Sequence, residues 1–540
     1  MAEHHPEHHR RPSVVEIAHS IDSDYDDRLA LEKQGYKQEF LREFGNLATF
    51  SFAFSIMGVS SSVAITFTTP MMLGGPASVV WCWFIGAVFA FFIGTAIAEL
   101  VSAYPTSGAL YTASARLVPP RHRIWVGYLI GWMNVLGNIA GAASTEFGLS
   151  EMIWSAYGAA HPEFSVTPGQ TVGLFIGLLC LHGLLNSLRT KQLAFFTQFF
   201  VFINVGVLFC TFIAVLAKTP RSELHTAKYT FTYLENQTGW SNNGLSFLLG
   251  LLSVQWTMTG YDATAHISEE VKKAAIAAPV AIFLAVLSTG ILGWILNICM
   301  VLASGPLEDL PGASDNAYLS ILINRLGLKG ALAVWSFTIL IAFFTLQTGL
   351  QANARAIFAF SRDHGLPDGK FFGKINKYTK TPINAVWCCV IISIALGCLD
   401  FASPIASAAV FSLATVALDL SYGLPIFFRL IFAGKEGVDF KPGPFYLGDG
   451  LFGKFVNWVA VIYILFECII LSFPENHPVT GQNMNYAGVI TIGVMLIGLL
   501  WYVVYARRHY FGPNDMVEFP VDHNNSDEAV LHEEKKAGKA

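Results

Sequence analysis

The sequence has little charge for its length. Asp, Glu, Lys and Arg make up 13% of its 540 residues, and 53% of the residues are hydrophobic. Soluble globular domains carry about 25% charged residues, so this chain lacks the polar surface that such a domain presents to water. The net charge of -5 is small and spread along the chain, so nothing indicates a nucleic-acid partner.

Patterns typical of enzymes and metal sites are also absent. The polar segments contain no nucleophile–base set, no phosphate-binding loop and no Cys/His cluster with metal-ligand spacing. All eight cysteines lie in apolar segments, where we expect them to act as small core residues. No signal peptide is recognisable, so we expect the first apolar segment to direct membrane insertion. We therefore predict no enzyme, no cofactor and no metal, and the lack of a repeated pore helix or charged ring disfavours a channel.

Long runs without any charged residue dominate the rest of the chain. The longest extends from Phe44 to Ala98 and has room for two spans, since a helix needs roughly 20 apolar residues to cross the hydrocarbon core. The runs are continuous rather than alternating, which indicates helices and not the strands of a barrel. We predict an all-α multi-pass membrane protein with twelve spans, at residues 48–72, 79–101, 124–149, 170–188, 192–217, 244–266, 276–303, 329–354, 384–400, 405–430, 455–473 and 485–506.

The basic residues predict how these spans are oriented. With both termini in the cytoplasm, the inner loops hold nineteen Lys and Arg residues and the outer loops hold five. Cytoplasmic loops carry such an excess, so this orientation is favoured. The triplet Asn236-Gln237-Thr238 then lies in the outer loop between spans five and six, which makes Asn236 a candidate glycosylation site. We expect the plasma membrane rather than the vacuole or another organelle.

Two of the predicted spans contain residues that weaken a helix. Gly58 in span one precedes three serines, Ser60 to Ser62, and Gly260 lies at the corresponding depth of span six, 202 residues later. Each glycine opens a block of five spans, and paired interruptions of this kind indicate the binding site of a secondary transporter. Freed N–H groups there attract a carboxylate, and freed carbonyls attract an ammonium group or a cation. Taken singly, each position also fits an ordinary packing glycine.

Three motifs resemble those of one transporter family. They are AELVSAYPTSGALYTASARL (98–117), TGYDATAHISEEVKKA (259–274) and QANARAIFAFSRDHGLP (351–367), which leave spans two, six and eight. Together they resemble the amino acid–polyamine–organocation superfamily, and within it the amino acid/choline branch that includes fungal and plant GABA permeases. The resemblance covers about residues 40–510. It implies a five-plus-five inverted-repeat core with broken helices 1 and 6 plus two extra helices, a substrate walled also by spans three, eight and ten, and uptake coupled to an ion gradient, usually of protons.

The resemblance also implies which residues contact the substrate. Backbone N–H groups of the first break would hold a carboxylate, although serines replace the usual second glycine. Carbonyl groups of the second break would face the substrate amine, which Trp256 or Tyr261 could cover, with a packing role for Trp256 as the alternative. Two asparagines four residues apart in span three and Gln347 in span eight are polar candidates. The predicted substrate-binding residues are Gly58, Val59, Ser60, Ser61, Ser62, Asn134, Asn138, Trp256, Met258, Thr259, Gly260, Tyr261 and Gln347.

Four more residues are candidates for gating or proton coupling: Glu99, Asp262, His266 and Asp419. A carboxylate inside a span costs roughly 2.5–3.5 kcal/mol on insertion scales, so Asp262 should face a cavity or a partner. It could bind the amine, carry the coupling proton, or pin the inner gate. His266 is its natural partner four residues later and could titrate with it, although a plain buried hydrogen bond is the alternative. Span five lacks the lysine that replaces sodium in some relatives, so the coupling residue is not assigned by analogy.

We divide the chain into a disordered cytoplasmic tail (1–43), a transport core of helices 1–10 (44–430), helices 11–12 (431–510) and a second disordered cytoplasmic tail (511–540). The leading interpretation is a permease that imports an amino acid such as GABA by alternating access, with H+ as the expected coupling ion. A permease for choline, a polyamine or another organic cation is the alternative, because such a substrate needs acidic or aromatic walls and no N–H cradle. A nutrient sensor that binds without transporting is the third interpretation.

Overall fold

The computed structural model describes residues 27–401, 404–438, 440–481 and 483–513. Within these ranges the chain is helical, and its one isolated β-bridge joins Phe44 to Val271. The all-α prediction is therefore confirmed. Of the predicted tails (1–43 and 511–540), residues 1–26 and 514–540 lie outside the described residues.

The helices follow the order of the predicted spans. The first half of the chain forms α1 (Asn46–Met57), α2 (Val59–Thr66), α3 (Thr68–Leu73), α4 (Gly75–Ala103), α5 (Ala109–Arg116), α6 (Arg123–Ala160), α7 (Pro168–Asn186) and α8 (Thr190–Lys218). The second half forms α9 (Ala227–Thr232), α10 (Asn243–Leu249), α11 (Leu251–Met258), α12 (Ala263–His266), α13 (Ala274–Leu302), α14 (Ala317–Arg362), α15 (Ile383–Gly397), α16 (Pro404–Phe432), α17 (Leu451–Ile470) and α18 (Ala487–Val504).

Within the described part of the chain, ten segments are long and apolar enough to cross a membrane. Two further predicted spans, α6 and the interrupted segment from α10 to α12, make the pattern consistent with twelve. Helix α6 continues to Ala160 and α14 begins at Ala317, well outside the predicted spans, and α14 bends at the non-helical Gly327. The charge-free runs marked only part of each helix, because Glu151, Arg325 and Lys329 interrupt the apolar sequence while the helices continue through them.

The two halves of the core pack through matching helices. The second spans of the two halves, α4 and α13, pack against each other, and so do the third spans, α6 and α14. Trp83 of α4 lies over Gly293 of α13 and donates its indole N–H to the Gly290 carbonyl at 3.0 Å, so small residues permit close helix approach. Helix α16 packs against α6, while α17 and α18 pack against α16. This is the predicted inverted-repeat core with two extra helices.

Both predicted helix interruptions are present. Gly58 separates α1 from α2 and has left-handed φ and ψ of 47° and 50°. Residues 259–262 separate α11 from α12, with Thr259 extended and Gly260 at a φ of 101°. Side chains rarely adopt such positive φ values, so glycine is the residue that allows the chain to break at these two points.

Residues 27–43 differ from the expectation of a disordered tail. Tyr36 and Phe40 are each 2% exposed, and the Tyr36 hydroxyl donates to Asp363 at the end of α14 at 2.7 Å. The Gln38 amide donates to the Glu269 carbonyl at 2.8 Å. Since the apolar residues of this segment are few and scattered, no periodic pattern marked it, and it is ordered by contacts with distant helix ends. The face on which it packs, predicted to be cytoplasmic, is called the inner face below.

Candidate functional site

A cavity of about 60 Å³ lies between the two helix breaks. Ile56 and Ser62 contribute from α1 and α2, and Thr259 and Gly260 contribute from the second break. Side chains of α6, α14 and α16 complete the wall. These helices correspond to spans one, three, six, eight and ten, the five spans between which the family resemblance places a substrate.

The thirteen predicted substrate-binding residues fall into two groups. Five of them line the cavity: Ser62, Asn138, Trp256, Thr259 and Gly260. The others lie behind the wall, where Met258 and Tyr261 are buried and Gln347 is 7% exposed. Their roles in binding stay predictions.

The serines of the first break are engaged with the backbone. Ser61 donates its hydroxyl to the Gly58 carbonyl at 2.9 Å, and Ser62 donates to the Met57 carbonyl at 2.8 Å. The bond from Ser62 satisfies the Met57 carbonyl at the end of α1, and the bond from Ser61 adds to the regular helix bond that the Gly58 carbonyl accepts from the Ser62 N–H. The Ser60 hydroxyl is buried without a hydrogen-bond partner among the described residues. The serines therefore stabilise the break, and Ser62 alone of the three reaches the cavity wall.

Several cavity residues were missed by the sequence analysis. Gly141 and Thr145 follow Asn138 on the same face of α6, and Thr345, Gly349 and Asn353 share one face of α14. Their three-to-four-residue spacing is visible in the sequence. Nothing local, however, distinguishes the face that meets a cavity from one that meets another helix.

A chain of buried hydrogen bonds runs from the cavity wall to Asp262. Asn353 donates to the Asn138 carbonyl at 2.7 Å, and Asn138 donates to the Asn134 side chain at 2.9 Å. Asn134 then donates to Asp262 Oδ2 at 2.5 Å. The Tyr422 hydroxyl donates to Asp262 Oδ1 at 2.9 Å, and the Gly260 N–H donates to that hydroxyl at 3.3 Å. The backbone of the second break is thus held from behind by Asp262 through Tyr422.

His266 completes this network towards the inner face. Its Nε2 lies 3.0 Å from Asp262 Oδ2, and its Nδ1 lies 2.9 Å from the Ser107 carbonyl oxygen. A carbonyl and a carboxylate are both acceptors, so an imidazolium ring satisfies both contacts at once. Asp262 then accepts from three donors, is completely buried and does not line the cavity. The predicted partnership of Asp262 with His266 is present in the structure, and its role in gating stays a prediction.

Two buried ion pairs close the inner face directly beyond His266. Arg362 donates to both Glu269 oxygens at 3.0 and 3.1 Å, and Arg355 donates to Glu270 at 2.6 and 3.3 Å. The Ser107 N–H also donates to Glu269 at 3.1 Å. Burial opposes ionisation of Glu269, but the Arg362 charge and these hydrogen bonds outweigh it and lower the pKa of that carboxyl. We call these two pairs, Glu269–Arg362 and Glu270–Arg355, the inner gate.

Asp363 should make the stability of the folded protein depend on pH. Burial raises its pKa from 3.8 to about 6, and the Arg362 charge and the hydrogen bonds from Tyr36 and Tyr111 offset only part of this. The folded chain therefore binds this proton more tightly than the unfolded chain, so stability is lost as pH rises through that interval. The loss amounts to about 3 kcal/mol, at about 1.4 kcal/mol per pH unit.

The Asp363→Asn variant tests this effect, because asparagine stays neutral. We expect its melting temperature in detergent to rise relative to wild type when the pH is moved from below about 4 to above about 7. Comparing the variant with wild type at both pH values removes any constant effect of the altered hydrogen bonds. If the difference in melting temperature between the variant and wild type is the same at both pH values, the raised pKa of Asp363 is contradicted.

Three predicted residues lie away from the cavity. Glu99 accepts from the Leu447 N–H at 3.1 Å and lies 3.7 Å from Arg429, and its role in gating or proton coupling stays a prediction. Asn236 donates to the Trp240 carbonyl at 2.7 Å within its outer loop, and its glycosylation stays a prediction. Asp419 is buried behind the cavity in α16.

The outer side of the cavity is covered by aromatic rings. Trp256 lines the cavity and donates its indole N–H to Ser144 at 3.0 Å. The Phe411 ring lies 5.2 Å from the Trp256 ring, centroid to centroid, and lines an outer pocket of about 220 Å³. A larger outer vestibule of about 630 Å³ adjoins it, with Glu151 and Asp400 in the walls of both. The cavity is therefore separated from the outer side by two rings and from the inner side by the inner gate.

The helical bundle, its paired breaks and the cavity between them define a multi-pass membrane transporter. The manganese transporter of Eremococcus coleocola has the same fold, with a TM-score of 0.51 over 86% of this chain and 95% of that chain. The two sequences are 13% identical, so this likeness shows the fold alone.

Sequence relatives give the family. A family model described as amino acid permease matches residues 44–496. An uncharacterized amino-acid permease of Schizosaccharomyces pombe is 42% identical over 94% of this chain and 93% of its own length. Amino-acid permease 2 of Neurospora crassa is 35% identical over 90% and 88%, and the GABA-specific permease of Saccharomyces cerevisiae is 32% identical over 93% and 87%. The chain belongs to the amino acid permease family, so the predicted resemblance is confirmed and the protein is a transporter rather than an enzyme.

Proposed function

We propose that the protein imports a zwitterionic amino acid, such as GABA, by proton-coupled alternating access. One observation carries the choice of substrate: none of the described residues that line the cavity is charged, while Asn138, Asn353, Ser62 and Thr345 offer amides and hydroxyls. A zwitterion brings both charges itself and needs neutral donors and acceptors. The half-helix ends that meet at the breaks beside Gly58 and Gly260 supply partial charges of both signs.

The same wall argues against an organic cation. A cation without a carboxylate needs an acidic partner when it leaves water, because an unpaired buried charge costs several kcal/mol. Asp262 already accepts three hydrogen bonds, and neither Asp262 nor Asp419 lines the cavity. Trp256 is the single aromatic side chain among the described lining residues. Because aromatic rings attract quaternary ammonium groups, Trp256 makes choline the second candidate substrate.

Alternating access is supported by the unequal barriers at the two ends. The inner gate consists of two buried ion pairs on segments far apart in sequence, whereas the outer barrier is the Trp256–Phe411 contact. Rings can rotate aside with little cost compared with separating buried charges. In our proposal this structure is therefore an inner-closed state, and transport requires the inner gate to open after the outer rings have closed on the substrate.

An uptake panel in permease-deficient cells tests the function. Labelled GABA, other amino acids, choline and spermidine are offered separately at acidic and at mildly alkaline external pH. We expect saturable uptake of an amino acid that is greater at acidic pH, because the inward proton gradient drives it. Uptake of choline or spermidine alone would establish the cation alternative, and binding without uptake would indicate a sensor.

We also propose a plasma-membrane location with both termini in the cytoplasm. The inner face, where Arg355, Arg362 and Arg429 lie, carries the basic side chains that cytoplasmic surfaces favour. Epitope tags at both ends of the full chain should be undetectable in intact cells and detectable after permeabilisation. Staining of either tag in intact cells would contradict this orientation.

A further inference from the structure

Two carboxyl groups face each other between α16 and α17, behind the cavity wall. Asp419 of α16 and Glu467 of α17 are both 0% exposed. Among the described residues, no donor lies at normal hydrogen-bond geometry to any of their four oxygens, although the side chains of Gln255 and Tyr463 lie beside Glu467. The two carboxyl groups are direct neighbours where α16 packs against α17. This pair differs from every other buried carboxylate of the site, because each of the others has at least one donor.

Two ionised carboxylates cannot share this location. An ionised carboxylate only accepts hydrogen bonds, so neither group can satisfy the other when both are charged. Like charges held close in a water-free interior repel strongly, and such pairs keep one proton between them. One bound proton converts the contact into a hydrogen bond from a carboxylic acid to a carboxylate. The proton binds by forming one O–H bond and leaves as H+, so no other reactant is needed.

The side chains around the carboxyl pair favour a proton as its ligand. The titratable side chains that face it are Tyr261 from the second break, Tyr422 from α16, and Tyr463 and Cys468 from α17; none of these is basic. The Tyr261 hydroxyl is completely buried and has no hydrogen-bond partner among the described residues.

Gln255 places a second donor beside the pair. Its side chain is 0% exposed and lies against Glu467, and its amide nitrogen has no hydrogen-bond partner in the described part of the chain. Tyr463 donates to the Gln255 amide oxygen at 3.4 Å, which orients the nitrogen. The phenol of Tyr261 and the amide of Gln255 are therefore available to the pair when its charge increases.

Asp262 offers no comparable place for a proton. It accepts from Asn134, Tyr422 and His266, which together stabilise its ionised form. We propose that Asp419 and Glu467 jointly bind one proton and that this is the coupling proton of transport. The proposal rests on the proposed function, proton-coupled import of an amino acid.

A short path connects this proton site to the substrate cavity. Tyr261 is adjacent to Gly260, which lines the cavity, and its ring packs edge-on against Tyr422 at 5.5 Å. The Tyr422 hydroxyl accepts from the Gly260 N–H at 3.3 Å, and Tyr422 lies three residues after Asp419 on α16. Release of the proton leaves two negative charges between α16 and α17 and attracts the Tyr261 hydroxyl. Movement of Tyr261 displaces the Gly260 backbone. Binding of the proton and binding of the substrate therefore both act on the conformation of the second break.

Proteoliposomes that contain the full-length protein test the assignment. Two assays are compared for the amino acid identified by uptake: exchange across the membrane without a gradient, and accumulation driven by a pH difference with the membrane potential clamped. One pH unit with one coupled proton supports about a tenfold accumulation. We expect Glu467→Gln and Asp419→Asn to retain exchange and to lose this accumulation, whereas Glu467→Asp, which keeps the pair, retains both. Accumulation at the wild-type level in both neutral variants would overturn the proposal.

A spectroscopic measurement keeps the proposal testable if a variant fails to fold. Purified wild-type protein at neutral pH should show the infrared C=O stretch of a protonated carboxylic acid that is shielded from solvent exchange. The Asp419→Asn/Glu467→Gln double variant should lack this band. Absence of the band in wild type would refute the shared proton. If the wild-type protein exchanges no amino acid, the proposed function is refuted instead. The infrared band would still show whether Asp419 and Glu467 share a proton.

Discussion

Replacement of Gly58 by alanine is expected to reduce amino acid uptake about a hundredfold while the protein still reaches the membrane. The φ of 47° at Gly58 costs an L-residue about 1–2 kcal/mol. A Cβ added there would lie 2.0 Å from the Thr345 hydroxyl oxygen, and such overpacking costs about 1–3 kcal/mol. A combined cost of about 3 kcal/mol corresponds to a factor of about a hundred. The effect falls on transport because Thr345 lines the cavity and bonds to the Ser55 carbonyl at 3.0 Å.

The measurement is labelled uptake normalised to the amount of protein at the cell surface. Gly206→Ala is the matched control, because Gly206 lies in α8 with nothing within 4 Å of an added Cβ. The double variant Gly58→Ala/Thr345→Ala should recover part of the uptake, since it removes the closest atom while the φ strain stays. Normal uptake in Gly58→Ala would show that the first break does not shape the binding site.

Neutralising Glu269 is expected to shift the protein towards a state that is open on the inner side. Glu269→Gln leaves the guanidinium of Arg362, which is 8% exposed, without its bidentate carboxylate. Loss of one partner from a buried pair costs about 3–5 kcal/mol. That energy is lost from the closed state alone if the gate opens to water, so the closed population falls by a factor of a hundred or more, at about 1.4 kcal/mol per tenfold change. Substrate accumulation should collapse because the protein seldom returns to the inner-closed state, in which the cavity takes up substrate from the outer side.

Cysteine labelling from the inner side measures this opening directly. A cysteine placed at Gly141 in the cavity wall reports access in inside-out vesicles, with the same vesicles lacking that cysteine as background. Labelling should accelerate strongly in Glu269→Gln. Glu32→Gln is the control, since the Arg28–Glu32 pair is about half exposed and contributes little. Equal labelling rates in Glu269→Gln and its parent would refute the inner gate.

Local sequence patterns predicted much of the fold. Continuous apolar runs identified the helices, because a membrane-spanning helix must satisfy its backbone internally and face lipid. Gly58 and Gly260 identified the two breaks, because a positive φ is a local requirement that glycine meets. Residues 27–43 were assigned to a tail because their order comes from contacts with distant segments, such as the bond from Tyr36 to Asp363.

Glu467 illustrates a residue that the sequence marks without explaining. It lies inside a predicted span, so the cost of a membrane-buried carboxylate applies to it as it does to Asp262. Its partner, Asp419, is 48 residues earlier, on another helix, at no spacing that a single-helix rule describes. Which of two buried carboxylates is satisfied and which needs a proton depends on the donors around each one.

The sequence by itself determined the membrane-spanning helices, the two glycine breaks and the family, because each follows from hydropathy, backbone freedom or a contiguous motif. Only the tertiary structure decided that Arg362 and Arg355 close the inner gate on Glu269 and Glu270, and that the cavity wall lacks charge. Those facts depend on which helix faces meet across roughly a hundred residues of chain. Apolar runs leave the rotation of each helix undefined, and packing against its neighbours determines it.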